Sequence, residues 1–319
     1  MRWRRSLGKR GKAALLTGLE VAKMPDFRGV SSPPLEGLPP SFIEIPIVLN
    51  GLADRVNFFT EFSGLLGVKG EVVYVEVKPL GTFINEVDMV SVTTTKGSYR
   101  FVLKSFSSWG LFKWFPLWVA SYARANFSIS GKSRLKNELR ARLILERLGV
   151  NTPNVYCYDL KRAKALYEFI DAENLDEIVK EARREDKLDE LAETYMMVGR
   201  EVSRIHNAGY VLGDCKPANI LYVEEKKQTY YIDLEQARVG DRKLSGWDVC
   251  EFVMFTGRFF ILPRKAKEIC EAFLQGYSEQ GEKRVLREAA SVKMAQPFVG
   301  MVSPVVLQAL RALIADYAQ

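Results

Sequence analysis

The sequence predicts an α+β fold, on three observations. Alternating, β-branched runs gather in its first half, of which Glu71–Lys78 (EVVYVEVK) and Tyr99–Lys104 (YRFVLK) are the plainest. Later, Leu188, Leu191, Tyr195, Val198, Val202 and Ile205 recur at three and four, the period of an amphipathic helix. Between the closing helices and that one, Ile220–Val223 and Thr229–Ile232 flank the polar turn Glu224–Gln228, the signature of a hairpin.

The 319 residues suffice for one large domain or two lobes, and 27% charged with 47% apolar residues describes an ordinary globular composition. A formal charge of +7 favours an anionic partner such as a nucleotide, nucleic acid or membrane surface. The single histidine, His206, excludes a His-based metal site or catalytic triad, and reads as structural. Cys157, Cys215, Cys250 and Cys270 are scattered without metal-ligand spacing, so free thiols in a reducing compartment are expected. Ala13–Met24 is short and interrupted by Glu20 and Lys23, unlike a secretory apolar region. Trp109–Ala123 contains Lys113 and Pro116 and is too short to span a bilayer. The expectation is a cytoplasmic protein with no transmembrane segment.

In chain order, Met1–Lys12 carries six cations and no acid, and the Pro-rich Ser31–Pro40 reads as a linker. Phe42–Leu49 is expected as a strand and Leu52–Leu66 as a helix bearing Phe58, Phe59 and Phe62. Gly81 opens a loop after the first long strand, Lys96-Gly97 marks a hairpin turn, and Lys104 closes the next strand. Residues 105–132 hold Trp109, Phe112, Trp114, Phe115, Trp118, Tyr122 and Phe127 among Lys113, Arg124 and Lys132. About half of those rings are expected in the core, leaving the cations as a candidate surface. Ser133–Leu148 is a helix with Gly149 as its stop, and carries Arg134, Glu138 and Arg142 one turn apart. That spacing also suits a solvated surface lattice. Lys164–Ile170 is a strand, Asn174–Lys180 a helix start, and Ala266–Gln275 and Ser303–Asp316 the closing helices, the last with Ser303 as N-cap and Pro304 in its first turn.

Chemistry concentrates in Gly209–Arg238, reading GYVLGDCKPANILYVEEKKQTYYIDLEQAR. The hairpin would bring Asn219, ahead of one strand, beside Asp233, just after the other. An amide oxygen and a carboxylate together suit a hard, oxygen-loving ion such as Mg²⁺, with Mn²⁺ as a substitute. Asp214 would then orient an acceptor hydroxyl and Lys216 offset charge on a transferring phosphate.

This order and spacing resembles the protein-kinase-like superfamily, nearest its atypical Bud32-type, RIO-type and lipopolysaccharide-kinase-type branches. The departures are Leu212 in place of the loop histidine, Cys215 in place of leucine, and Asp233-Leu234-Glu235 in place of Asp-Phe-Gly. The resemblance implies a two-lobed fold with ATP between a β-rich lobe and a helical lobe that lacks a full activation segment. It divides the chain into a basic extension (1–69), an N-lobe with the insertion 105–132 (70–170) and a C-lobe (171–319). It places Gly81 over the phosphates, Lys104 on them, Glu138 on Lys104, Glu168 and Ile170 at the adenine, and Asp248 as a brace of the catalytic loop.

The acceptor expected is a ribose hydroxyl of RNA, with tRNA foremost. Asp248 follows Asp233 by only 15 positions, too few for a peptide-docking subdomain. Arg124, Lys132, Arg134, Lys136, Arg140, Arg142 and Arg147 against Glu138 and Glu146 make that region net +5, suited to phosphates. A protein acceptor, as for Bud32- and RIO-type kinases, is the alternative. A lipid or sugar acceptor and a non-catalytic scaffold rank below it. Oligomeric state is left open.

Overall fold

The computed structural model describes residues 42–80, 86–106 and 130–319. The basic segment Met1–Lys12, the Pro-rich stretch Ser31–Pro40, Gly81, Arg124 and the aromatic run Trp109–Phe127 lie outside them.

A six-stranded sheet forms the first lobe. Its strands are β1 (Ile43–Glu44), β2 (Val72–Pro79), β3 (Glu86–Thr94), β4 (Gly97–Ser105), β5 (Val155–Asp159) and β6 (Lys164–Glu168), in the order β1-β5-β6-β4-β3-β2. All neighbours are antiparallel except β1, which lies parallel to β5. The strand expected over Phe42–Leu49 is therefore only two residues long. Pro46 has no N–H to donate to a ladder, and the chain instead anchors itself through Ile47 N–H to Asp159 Oδ2 (2.9 Å).

The helix expected over Leu52–Leu66 is broken into α1 (Leu52–Glu61) and α2 (Ser63–Leu66), with Phe62 between them. Phe58 and Phe59 pack into the same core as Val75, Val90, Phe101 and Leu166 of the sheet. The Phe59 ring lies 5.4 Å from that of Phe101, itself 5.3 Å from Tyr156. Each buried phenylalanine contributes about 2–3 kcal/mol, so residues 43–68 are part of this lobe's packing.

Helix α3 (Gly131–Arg147) crosses against the sheet between β4 and β5 in sequence. The second lobe begins at β7 (Glu173–Asn174) and α4 (Leu175–Glu185), whose first turn is capped by Asn174 Oδ1 accepting from Glu177 N–H (3.0 Å). A 3₁₀ turn over Leu188–Leu191 precedes α5 (Ala192–Asn207), so the long helix expected from Leu188 starts four residues late. Then come β8 (Tyr210–Val211), β9 (Ile220–Val223), β10 (Gln228–Tyr231) and β11 (Arg238–Val239). The lobe closes with α6 (Arg242–Gly257), α7 (Pro263–Ser278), α8 (Lys283–Ala289), α9 (Val292–Ala295) and α10 (Pro304–Tyr317). Ser303 holds the N-cap place of α10, but its hydroxyl donates to Ile261 O (3.4 Å) rather than to the helix.

The core of this lobe is built where α5, α6 and α7 meet. Phe252 stacks on Phe273 at 4.3 Å and meets Tyr195 at 5.3 Å. A Cβ on Gly199 would stand 2.1 Å from Phe273 O, so only glycine lets α5 approach α7 this closely. All four cysteines are buried and free.

Candidate active site

The loop between β8 and β9 is held from below by α6. Asp248, wholly buried, accepts from Leu212 N–H (2.6 Å) and Gly213 N–H (2.8 Å), and lies 3.2 Å from His206 Nε2. His206 Nδ1 is 2.9 Å from the Tyr277 hydroxyl. The single histidine thus links α5, α6 and α7. One turn along α6, Glu251 accepts from Cys215 N–H (2.8 Å) and Trp247 Nε1–H (3.1 Å). Burial, and then the nearby Asp214 and Asp248, push the Glu251 carboxyl well above its ordinary range. The chain reverses tightly at Gly213, whose φ is +75° and where a Cβ would lie 2.7 Å from Gln236 O.

On this base Asp214, Lys216, Asn219 and Asp233 line one small cleft, walled by Leu212, Ile220 and Leu234. The hairpin β9–β10 has Tyr231 opposite Ile220, and Ile232 N–H donates to Asn219 O (2.9 Å), which sets Asn219 beside Asp233. Asn219 Nδ2 donates to both the backbone oxygen and Oδ2 of Asp214, each at 2.9 Å. Lys216 Nζ donates to the same Oδ2 (2.8 Å). Burial works to lower the Lys216 pKa, but Asp214 and Asp233 raise it overall, so the ammonium stays charged.

Above the cleft, Lys104 Nζ reaches Glu138 Oε2 at 2.6 Å and Asp233 Oδ1 at 2.7 Å. Burial disfavours its charge, yet Asp233, Glu138 and Glu235 together raise its pKa. Glu138 is 1% exposed; burial opposes its charge, and Lys104 and then Arg142 lower its pKa below the usual range. Asp233 behaves likewise: burial is outweighed chiefly by Lys104. Asp233 also has a φ of +56°, left-handed for a residue with a side chain, which turns the backbone so that its carboxylate faces Lys104.

The reading of Arg134, Glu138 and Arg142 as a surface lattice is overturned. Arg134 Nη1 lies 3.1 Å from Glu235 Oε1, and Arg142 joins Glu138 (2.9 Å) and Pro153 O (2.8 Å), all with side chains under one-tenth exposed. These two arginines are therefore withdrawn from any nucleic-acid surface, while Lys132 and Arg147 are exposed and Lys136 and Arg140 half-buried. Glu235 and Glu251 were not singled out by sequence reasoning. The Asp-Leu-Glu departure was the available signal for the first; for the second, it was a second acid one turn after Asp248 in an otherwise apolar helix stretch.

At the end of β6, Glu168 N–H donates to Asn154 O (2.9 Å) and its carboxylate accepts from Asn154 N–H and Nδ2 (3.1 and 2.7 Å). Ile170 follows β6 directly and its carbonyl accepts from Ala172 N–H (3.0 Å).

The donor set fits a hard divalent cation. Asn219 Nδ2 is committed to Asp214, so its oxygen is the atom left to coordinate, and Lys104 engages only one Asp233 oxygen. Glu138, Asp233 and Glu235 also approach within 4.8 Å of one another, but the Lys104 ammonium already sits among them.

A family model described as the lipopolysaccharide kinase (Kdo/WaaP) family matches residues 88–277, more than half of the chain. The chain belongs to that family. The match runs from β3 through α7 and so includes every residue of the cleft. The chain is also 34% identical over 113 residues to the KEOPS complex subunit Bud32 of Pyrococcus abyssi, covering 34% of this chain and 49% of that protein. It is 29% identical over 148 residues to a probable bifunctional tRNA threonylcarbamoyladenosine biosynthesis protein of Methanosphaera stadtmanae, covering 46% of this chain and 26% of that protein. It thus spans half or less of the length of these curated relatives. Membership places the chain in the atypical protein-kinase-like superfamily, whose kinases generally use ATP and a divalent metal. Among the described residues no helix is long and apolar enough to cross a membrane.

Proposed function

We propose that the chain transfers the γ-phosphate of ATP to a sugar hydroxyl, the ribose 2′-hydroxyl of an RNA, with tRNA foremost. The observation that carries the transferase chemistry is the convergence of Asp214, Lys216, Asn219 and Asp233 beneath the Lys104–Glu138 pair. Asp214 Oδ2 is doubly engaged, which leaves Oδ1 to accept the hydrogen bond of the incoming hydroxyl. As that oxygen bonds to the γ-phosphorus and the bond to the β-phosphate oxygen breaks, its proton passes to Asp214 and ADP departs. Lys216 offsets charge on the phosphoryl group, and Lys104, fixed by Glu138, holds the remaining phosphates. Asn219 and Asp233 would hold Mg²⁺, which supplies charge neutralisation between the phosphates. The family resemblance assigns Glu168 and Ile170 to the adenine and Gly81 to the phosphates.

Three features support an RNA acceptor. The curated relatives include a protein named for tRNA threonylcarbamoyladenosine biosynthesis. The short link from Asp233 to Asp248 leaves little to dock an extended peptide. Lys132, Lys136, Arg140 and Arg147 remain along α3 and its end after Arg134 and Arg142 are withdrawn. The family's name gives a second reading, a lipopolysaccharide sugar, which shares the hydroxyl chemistry.

The test is transfer of labelled γ-phosphate from Mg-ATP to total tRNA, protein extract and lipopolysaccharide in parallel, with Asp214→Ala as control. Protease-resistant label in tRNA that vanishes with the variant is expected. Label confined to protein or to lipopolysaccharide would replace the acceptor, and full activity of the variant would remove Asp214 from the mechanism.

A further inference from the structure

Outside the cleft, the helical lobe leaves a group of large aliphatic side chains in solvent. Ile261 is 77% exposed and Leu262 72%, in the turn between α6 and α7, and Val299 is 70% exposed between α9 and α10. Met301 and Val305 are exposed as well. The two segments meet: Ser303 Oγ donates to Ile261 O (3.4 Å), and Met301 and Val305 flank Ser303 two residues to either side. Val299 joins them through its bridge to Val302. A contiguous exposed apolar face marks a site of interaction with a protein or a membrane.

Charge narrows the choice of partner. Residues 258–267 and 293–305, which build the face, hold five cations, Arg258, Arg264, Lys265, Lys267 and Lys293, and no acid. Arg258 pairs with Asp176 and Lys265 with Asp186; among the described residues the other three form no ion pair. Arg264 and Lys265 stand in the first turn of α7, where the helix macrodipole disfavours cations and Leu262, at the N-cap, offers no side-chain acceptor. Helix stability gives no reason for them. A cationic face repels a second copy of itself, and equally the basic residues 1–12 of its own chain. Stacking on nucleic-acid bases needs aromatic rings, and the five exposed apolar residues include none. Protein interfaces likewise centre on aromatic anchors. Aliphatic side chains beside cations match an anionic bilayer, whose acyl boundary takes the first and whose phosphates meet the second.

We propose that this face docks the protein on an anionic lipid surface: Ile261 and Leu262 enter the acyl boundary, and Arg264 and Lys267 meet the lipid phosphates. The inference uses residues outside the cleft and is independent of the acceptor.

The experiment is co-sedimentation of the full chain with vesicles of phosphatidylcholine alone and of phosphatidylcholine mixed with phosphatidylglycerol. The variants are Ile261→Ser/Leu262→Ser and Arg264→Gln/Lys267→Gln, neither of which removes a core side chain, so both are expected to melt with wild type. Wild type is expected to sediment with the mixed vesicles and not with the neutral ones. The serine pair is expected to weaken partitioning by at least about tenfold, since two large aliphatic side chains no longer leave water. The glutamine pair is expected to weaken it by roughly fivefold for each cation removed. An environment-sensitive dye on Leu262→Cys is expected to shift to the blue on mixed vesicles only. No sedimentation of wild type with mixed vesicles overturns the proposal and leaves the face to an acidic protein. Binding that either pair leaves unchanged overturns it as well, and assigns the lipid contact to another basic segment. A wild type that is dimeric by light scattering while the serine pair is monomeric overturns it in favour of a second copy. Should either pair fail to fold, the dye decides: no blue shift on mixed vesicles overturns it.

Discussion

Lys104 Nζ lies 2.7 Å from Asp233 Oδ1, although 129 positions separate the two residues in sequence. The contact joins the end of β4 in the sheet lobe to the segment after β10 in the helical lobe. Each partner is one that a metal–nucleotide complex would claim, and the pair pre-forms the cleft between the lobes.

Replacing Lys104 by Met keeps its bulk but leaves Glu138 and Asp233 without their ammonium. Transfer is expected to fall by roughly 10²–10³-fold, the range for losing one preorganised electrostatic group. Glu138→Gln should cost less, because Lys104 retains Asp233. Steady-state kcat/KM for ATP measures both, and a Lys104→Met protein within threefold of wild type would contradict the role.

Asp248→Ala removes the acceptor of two loop N–H groups and the partner of His206. Each buried donor left unsatisfied costs about 1–3 kcal/mol. Loss of stability and of transfer together is expected in thermal melts and kinetic assays, since the loop that carries Asp214 loses its floor. Asp248→Ala with unchanged melting would show the brace to be dispensable.

Glu251 supplies a pH signature. Its carboxyl is raised on folding, by burial first and by Asp214 and Asp248 next. The folded state therefore keeps the proton above the pH at which the unfolded chain releases it, and this contribution to stability declines as pH rises from the unfolded value of about 4.5 towards the raised folded one. Glu251→Gln can still accept from Cys215 N–H and Trp247 Nε1–H, yet cannot ionise. Its melting temperature relative to wild type should therefore climb with pH across that window. A difference that stays flat from pH 4 to 9 would count against it.

The thiols should be slow to react. Burial pushes Cys157 up to about 12 and raises Cys215, Cys250 and Cys270 as well. Iodoacetamide at pH 8 is expected to leave all four unmodified in the folded protein and to label them in denaturant, as mass spectrometry would read. Rapid labelling of Cys215 in the native state would show the catalytic loop opening.

Much of the candidate site was legible before any fold was known. Lys104, Glu138, Asp214, Asn219 and Asp233 carry their order and spacing in the chain, and the hairpin that pairs Asn219 with Asp233 follows from two short apolar runs around a polar turn. Strand and helix periods depend on near neighbours, so local pattern reports them well. It did less well where one backbone group decided the matter, as at Pro46, whose missing N–H ends β1 early.

What the tertiary structure alone decided is which charges are buried. In sequence, Arg134, Glu138 and Arg142 have the i, i+4 spacing of an exposed helix face, and nothing local distinguishes them from one. Taking a charge out of water is tolerable only where an opposite charge and further hydrogen bonds meet it. Those partners, Glu235 for Arg134, Lys104 for Glu138 and Pro153 O for Arg142, arrive from other segments of the folded chain. The sequence by itself determined the inventory of reactive groups and the elements that carry them; long-range packing determined which of those groups face the cleft and which are spent holding it in place.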